Sequence, residues 1–235
     1  MLKGEKMTDE KNLEQFLEAI QINTQSSVCI SWKQKIYVDP FLIQKETKDA
    51  NLIFITHAHD DHFSTESIEK IKNESTVLVA PESMRKQAEM LKWDAARLVF
   101  VQPETRMDIC GILTEVIPAY NLEKPFHRRS NQWVGYVLHL DGIQCYFAGD
   151  TDATRECAAV QCELAVVPVG GEFTMNVEEA VALVREMCPA IAIPVHYGSI
   201  VGDSKAGRRF AKGVESFTRV LLKLDEIGYT PITRS

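Results

Sequence analysis

Leu52-Ile53-Phe54-Ile55-Thr56-His57-Ala58-His59-Asp60-Asp61-His62 is the stretch on which the reading of this chain turns. Four consecutive apolar residues without polar alternation mark a short strand buried on both faces, and such strands belong to parallel sheets in α/β folds. The polar cluster begins where that strand stops. Residues two apart in an extended segment point to the same side, so His57 and His59 can converge on one ion. Adjacent Asp61 and His62 diverge and can reach a second. Three of the six histidines fall within these six positions, a concentration that an ordinary polar loop does not need.

The same kind of junction recurs twice. Asp150 closes Cys145-Tyr146-Phe147-Ala148-Gly149, and His196 closes Ile191-Ala192-Ile193-Pro194-Val195. Each is a metal-competent side chain at the carboxyl end of a buried strand, where sites collect on α/β sheets. Alone, either reads as a hydrogen-bonded core residue; three such junctions in one chain point to a shared pocket.

Around these junctions the pattern is mixed. Leu13, Phe16, Leu17 and Ile20 fall at i, i+3, i+4 and i+7, which predicts a helix from Thr8 to Ile20. It is expected to be an extension over residues 1–19 that packs on the outside. Ser27–Trp32 and Lys35–Val38 read as strands, ended by Asp39-Pro40-Phe41. Ser64–Ile71 and Glu82–Leu91 look helical on either side of strand-like Thr76–Val79, and Leu98–Val101 is a further strand. Ile112–Ile117, Trp133–Leu140 and Ile143–Phe147 are strand-like, with Asp141-Gly142 where a two-residue hairpin turn belongs. Buried strands at Leu164–Val169 and Ile191–Val195 flank a helix over Val177–Met187, for which Asn176 and Glu179 make an N-terminal capping pair. No repeat and no Gly-, Pro- or Ser-rich linker divides the chain, which reads as one mixed α/β domain spanning 1–235.

Composition narrows the function classes. Hydrophobic residues at 45% and charged residues at 25% are ordinary globular values. A net charge of −7, from 26 basic and 33 acidic residues, disfavours nucleic acid and anionic membranes as partners and leaves a small molecule. No apolar run reaches the roughly eighteen residues of a membrane span, and the first residues lack an apolar secretory core. Six scattered cysteines without a C-x-x-C pair read as reduced core thiols. A cytoplasmic location is the expectation.

H-x-H-x-D-H after a strand, a later strand ending Ala148-Gly149-Asp150-Thr151, and a last strand ending in His196 resemble the metallo-β-lactamase superfamily over about Ile20 to Gly202. The resemblance implies an αββα sandwich with a two-metal site at one edge. By it, His57 and His59 would bind the first metal, Asp61 and His62 the second, Asp150 would bridge, and His196 would complete the second. Pro118-Ala119-Tyr120-Asn121, Phe126-His127, Val134-Gly135-Tyr136-Val137 and Pro168-Val169-Gly170-Gly171 are similar to the branch of metal-dependent hydrolases related to ascorbate-6-phosphate lactonase. Two departures stand out. Thr24-Gln25 occupies the place where relatives often carry Gly-His. The strand ending Ile117-Pro118 is followed by Tyr120 and Asn121 where the superfamily commonly has a histidine. His127 is the nearest candidate for the missing ligand, provided that residues 122–126 loop back over the pocket, which Pro125 favours; the rival is that Asn121 or water fills the position and His127 faces substrate.

Other residues keep two readings each. Asp39 orients a ligand histidine or caps the turn before Pro40. Arg128 and Arg129 clamp an anionic substrate or belong to a solvated loop. His139 and Asp60 read as structural or solvated. Seven candidate ligands exceed the four of one tetrahedral site, so two divalent ions are expected, zinc first and manganese or iron after it. Such a pair activates a hydroxide and predicts hydrolysis of a small anionic ester, phosphoester or lactone, with Asp61 and Asp150 as the carboxylates on which catalysis rests. The alternative is a metal-stabilised binding protein without turnover.

Overall fold

The protein is described here by a computed structural model that covers residues 11–227. Residues 11–18 form α1. The first sheet follows in spatial order: β1 (Ile20–Thr24), β2 (Ser27–Ser31), β3 (Lys35–Val38), β4 (Leu52–Phe54), β5 (Val77–Pro81) and β6 (Leu98–Val101). Strands β1 to β3 pair antiparallel through tight turns, and β3 to β6 pair parallel. The parallel connections carry α2 (Thr65–Ile71) and α3 (Arg85–Glu89).

The second sheet repeats this plan. β7 (Arg106–Ile109), β8 (Ile112–Pro118), β9 (Val134–Leu140) and β10 (Ile143–Phe147) form an antiparallel meander. β10, β11 (Leu164–Pro168), β12 (Ile191–Val195) and β13 (Arg219–Val220) then run parallel. The later part of the chain supplies α4 (Arg155–Ala158), α5 (Val177–Met187), α6 (Ala206–Val214) and α7 (Lys223–Ile227).

Local sequence explains these elements. β4, β11 and β12 are buried at every residue, as their unbroken apolar runs require, whereas β8 alternates buried with half-buried residues and so has one covered face. Asp141 and Gly142 both have positive φ, the conformation of a primed hairpin turn between β9 and β10. Asn176 accepts from the Glu179 amide at 2.8 Å while the Glu179 carboxylate accepts from the Asn176 amide at 2.8 Å, a reciprocal cap that starts α5.

The sheets pack face to face. Val38, Leu52 and Phe54 from the first and Val116, Tyr136 and Leu138 from the second belong to one buried cluster. The rings of Phe54 and Tyr136 lie 5.2 Å apart edge to face, and the Tyr136 hydroxyl donates to the Ile55 carbonyl at 2.7 Å, so its polar end is satisfied inside the core. Outside the first sheet, Ile68 and Ile71 of α2 pack with Ile53, Ile55 and Leu78. Leu183 and Val184 of α5 and Phe210 of α6 join the cluster that takes in β11 and β12. The result is a four-layer α/β arrangement with two central sheets.

Several expectations are corrected. Ile20 opens β1 instead of closing a helix; α1 lies on the outside, exposed at Lys11, Asn12, Glu14, Gln15 and Glu18, and buries Phe16 and Leu17 in the core. Its expected first residues, 8–10, lie outside the described residues. The helix expected over Glu82–Leu91 is a 3₁₀ turn at Glu82–Met84 followed by the five residues of α3. β7, three of whose four residues are exposed, was not anticipated, nor were α4, α6 or β13. No helix among the described residues is long and apolar enough to cross a membrane.

Candidate metal centre

β3, β4, β8, β10 and β12 all end at the same edge of the sandwich, and the polar residues that follow them meet there. Val134 donates its amide to the Thr56 carbonyl at 3.1 Å, which joins the two sheets at this edge. Gly149 is required by the closeness of that junction. Its φ is +64°, and a Cβ there would lie 2.9 Å from the Thr56 Cβ.

Two groups of donor atoms form. His57, His59, His127 and Asp150 each place one ligand atom within 4.8 Å of the others, and Asp61, His62 and His196 do the same. Asp150 reaches both groups. Its Oδ2 lies 3.3 Å from His127 Nε2 and 3.8 Å from His57 Nε2, its Oδ1 lies 3.3 Å from His62 Nε2, and Oδ2 is also 3.2 Å from His196 Nε2. Asp61 Oδ2 stands 3.4 Å from His196 Nε2 and 3.7 Å from His62 Nε2. The structure thus brings all seven candidate residues together at one edge, as two adjoining donor groups.

The donors fit divalent ions. His62 Nε2, His127 Nε2, His196 Nε2 and Asp150 Oδ1 are buried and have no hydrogen-bond partner. Buried polar atoms left unpaired cost free energy, and imidazole with carboxylate is the donor chemistry of zinc and its neighbours. His57, His62, His127, Asp150 and His196 are buried, whereas His59 and Asp61 are half-exposed and form the open side.

His127 arrives by the loop the sequence suggested. The Asn121 amide donates to the His127 carbonyl at 2.7 Å, so the chain leaves and returns at one point. Asp152 straps the excursion down by accepting from the Leu122 amide at 2.9 Å and pairing with Lys124. The Asn121 side chain donates to the Phe173 carbonyl at 2.7 Å, and His127 Nδ1 lies 3.1 Å from the same oxygen, which leaves Nε2 to face the pocket.

Asp39 supports both groups. It accepts from His62 Nδ1 at 2.7 Å, from the Thr56 amide at 2.8 Å and from the Thr56 hydroxyl at 2.6 Å. With its proton given to Asp39, Thr56 Oγ1 accepts from His57 Nδ1 at 3.0 Å. One carboxylate therefore fixes the tautomer of His62 directly and of His57 through a hydroxyl, and turns both Nε2 atoms toward the pocket. Of the two readings of Asp39, the geometry favours the orienting one.

Electrostatics separate the groups. Burial and the charge of His62 hold His57 well below the ordinary histidine pKa, and burial and His127 lower His59. Burial also disfavours charge on His62 and His196, but neighbouring carboxylates prevail. Asp150, Asp61 and Asp39 hold His62 well above the ordinary value, and Asp150 and Asp61 raise His196 to about 9. Burial raises the Asp150 and Asp61 carboxyls, and the histidines more than reverse it, leaving both well below the usual carboxylate range.

The remaining residues divide. Arg129 is exposed, donates to Glu156 at 2.9 Å and lies 5.0 Å from the centre of the Tyr120 ring. Arg128 is exposed and has no ion pair among the described residues. His139 is bonded to Glu115 at 2.7 Å on the second sheet, apart from the ligand groups, and Asp60 is exposed. Gln25 is buried, with its Nε2 unpartnered, and its carbonyl accepts from the His196 amide at 3.2 Å. Sequence reading missed Trp133, whose ring centre lies 4.9 Å from His57, 4.9 Å from His59 and 5.6 Å from His127. The signal available was its place at the start of a strand, two residues before the glycine that the resemblance had already picked out.

Two His/Asp donor groups sharing a carboxylate at the edge of a four-layer sandwich define a protein of the metallo-β-lactamase type. The β-lactamase superfamily domain matches residues 19–196. This chain belongs to that superfamily and, within it, to the UPF0173 metal-dependent hydrolase family. A member from Thermoplasma acidophilum is 30% identical over 197 residues, 78% of this chain and 85% of the relative. One from Thermococcus kodakarensis is 29% identical over 72% of this chain and 80% of its own length. Among solved structures, a metal-dependent hydrolase from Parabacteroides distasonis superposes with a TM-score of 0.74 at 26% identity, covering 87% of this chain and 92% of that one. The metallo hydrolase Igni18 from Ignicoccus hospitalis shares the fold, with a TM-score of 0.72 at 19% identity over 86% and 93%.

Proposed function

We propose that this protein is a hydrolase that uses two divalent ions, zinc first, on a small ester, phosphoester or lactone with negative charge beside the scissile bond. The observation that carries this reading is Asp150, whose two oxygens serve both donor groups and one of which is buried without a hydrogen-bond partner. His57, His59 and His127 would hold one ion and Asp61, His62 and His196 the other, with Asp150 between them. Bound in this way, the ions supply a nucleophile derived from water at neutral pH and polarise the substrate oxygen.

The chain's own residues supply the rest. Asp39 and Thr56 keep His57 and His62 aimed at the pocket, so little reorganisation is needed when the site loads. Half-exposed Asp61 leaves its donor group open to solvent. Arg128, next to His127 in the chain and unpaired among the described residues, would meet an anionic group, while Arg129 is bonded to Glu156. Relatives named metal-dependent hydrolases support the reaction class.

The test is elemental analysis of purified protein after reconstitution with zinc or manganese, then a turnover screen on aryl esters, phosphodiesters and lactones. Two ions per chain and metal-dependent turnover of one class are expected. One ion per chain would remove the two-metal reading, and two ions without turnover would make the centre a structural or binding element.

A further inference from the structure

The half of the centre built on His57, His59 and His127 is walled by an indole, and that wall has an open side. Trp133 meets His57 at a 40° tilt and meets His59 and His127 edge on. It is only half-buried, as is His59, so both rings reach solvent on this side. The backbone holds it in place: the Trp133 carbonyl accepts from the Ala119 amide at 2.9 Å, and the next residue donates to Thr56.

Its polar atom is idle. The indole N–H of Trp32 donates to Asp141 at 3.3 Å and that of Trp93 to the Thr76 carbonyl at 3.1 Å. The N–H of Trp133 has no acceptor among the described residues. The neighbouring loop is also apolar where it meets solvent. Of the five large hydrophobic side chains exposed among the described residues, Leu122 (62%) and Phe126 (42%) lie in the loop that delivers His127. The Phe126 ring packs edge to face on Phe173, whose carbonyl faces His127 Nδ1. The supports of the other donor group are polar: Asp39, Asp150 and the Gln25 backbone.

We propose that Trp133 is a specificity-determining substrate contact, and that the substrate carries a planar aromatic group which packs against the indole beside the His57–His59–His127 group. This rests on the hydrolase reading above and names the substrate class for it. An aromatic ring meets the indole with a geometry that a saturated ring of equal size cannot match, and the free N–H offers a donor to an oxygen on that group.

Calorimetric titration of zinc-loaded protein with phenylacetate and with cyclohexylacetate tests the idea without turnover. Phenylacetate should bind roughly three- to tenfold more tightly. Trp133→Leu should abolish the difference at unchanged metal content, and Trp133→Phe should keep part of it. Undetectable binding of phenylacetate, equal affinity of the two acids, or a preference that survives Trp133→Leu overturns the assignment. If Trp133→Leu does not hold zinc, the wild-type comparison and Trp133→Phe decide. Turnover of matched phenylacetyl and cyclohexylacetyl esters separates the two claims. Hydrolysis without aromatic preference defeats only the wall, and aromatic preference in binding without hydrolysis of any ester defeats only the hydrolase reading.

Discussion

His57, His59 and His127 meet against an indole, whereas Asp61, His62 and His196 meet between carboxylates. In the first group burial and the neighbouring imidazoles favour neutral rings at His57 and His59, which is the form that binds a metal. In the second, the surrounding carboxylates favour protonated rings, so an incoming ion must displace protons there. The same residue type is thus prepared in opposite ways within one pocket. The difference teaches that ligand identity alone does not set affinity; the charge behind each ligand does.

The sharpest way to break the comparison is to remove what the groups share. Asp150→Ala should reduce turnover to background and weaken both sites with the circular dichroism spectrum intact, because each group loses the carboxylate between them. Retained activity would end the bridging assignment. Next in size, His127→Ala should cost one metal equivalent of two by elemental analysis and leave the Asp61–His62–His196 group loaded. Full metal content with impaired turnover would move His127 to the substrate side.

Asp39→Asn sharpens the contrast. Removal of a partner that orients a ligand costs about 10- to 100-fold in metal affinity. The loss should be larger in the group containing His62, which Asp39 touches directly, than in the group it reaches through Thr56. A two-step zinc titration reads this, and equal losses would contradict it.

The metal-free protein should show the contrast as a pH profile. His196 has its pKa raised to about 9 in the fold, against about 6.5 unfolded. Its contribution is full below pH 6.5 and is lost as pH rises through 9, a change on the order of 3 kcal/mol. His57, held low, acts in the other direction and costs stability as pH falls below about 6.5. Thermal melts in chelator should therefore fall on both sides of neutrality, and His196→Gln should reduce the alkaline loss, with the part that belongs to His62 remaining, and leave the acid loss unchanged. The smallest effect expected is from Arg128→Ala with Arg129→Ala: a rise of a few fold in KM on an anionic ester with kcat unchanged, as for a contact equal in ground and transition states. Unchanged kinetics would return both arginines to a solvated loop.

Where packing writes a periodic signal, the chain could be read. The unbroken apolar runs of β4, β11 and β12 announced buried strands, and Asn176 with Glu179 announced the start of α5. β7 was silent because an exposed edge strand needs no apolar alternation. Ile20 fitted a helical stripe and is nevertheless a strand residue, because a buried position at a junction satisfies both periods. α6 left a faint trace, since its buried side is made of Ala206, Gly207, Phe210 and Val214, of which only Phe210 and Val214 are large and apolar. In the centre, the chelating residues stand out because His and Asp after apolar strands are costly without a task. Trp133 did not stand out, since an aromatic residue beginning a strand is ordinary and its position against three imidazoles belongs to tertiary structure.

The donors come from both sheets. His57, His59, Asp61 and His62 follow β4 of the first, whereas His127, Asp150 and His196 follow strands of the second. Any ion held here is consequently a cross-link between segments far apart in the chain, acting on the unfolded ensemble as a covalent staple would by shrinking the conformations open to it. The pocket cannot exist until the two sheets have docked, so metal uptake during refolding marks that docking. Chelation should lower the work needed to pull the sheets apart more than the work needed to unfold either hairpin region alone.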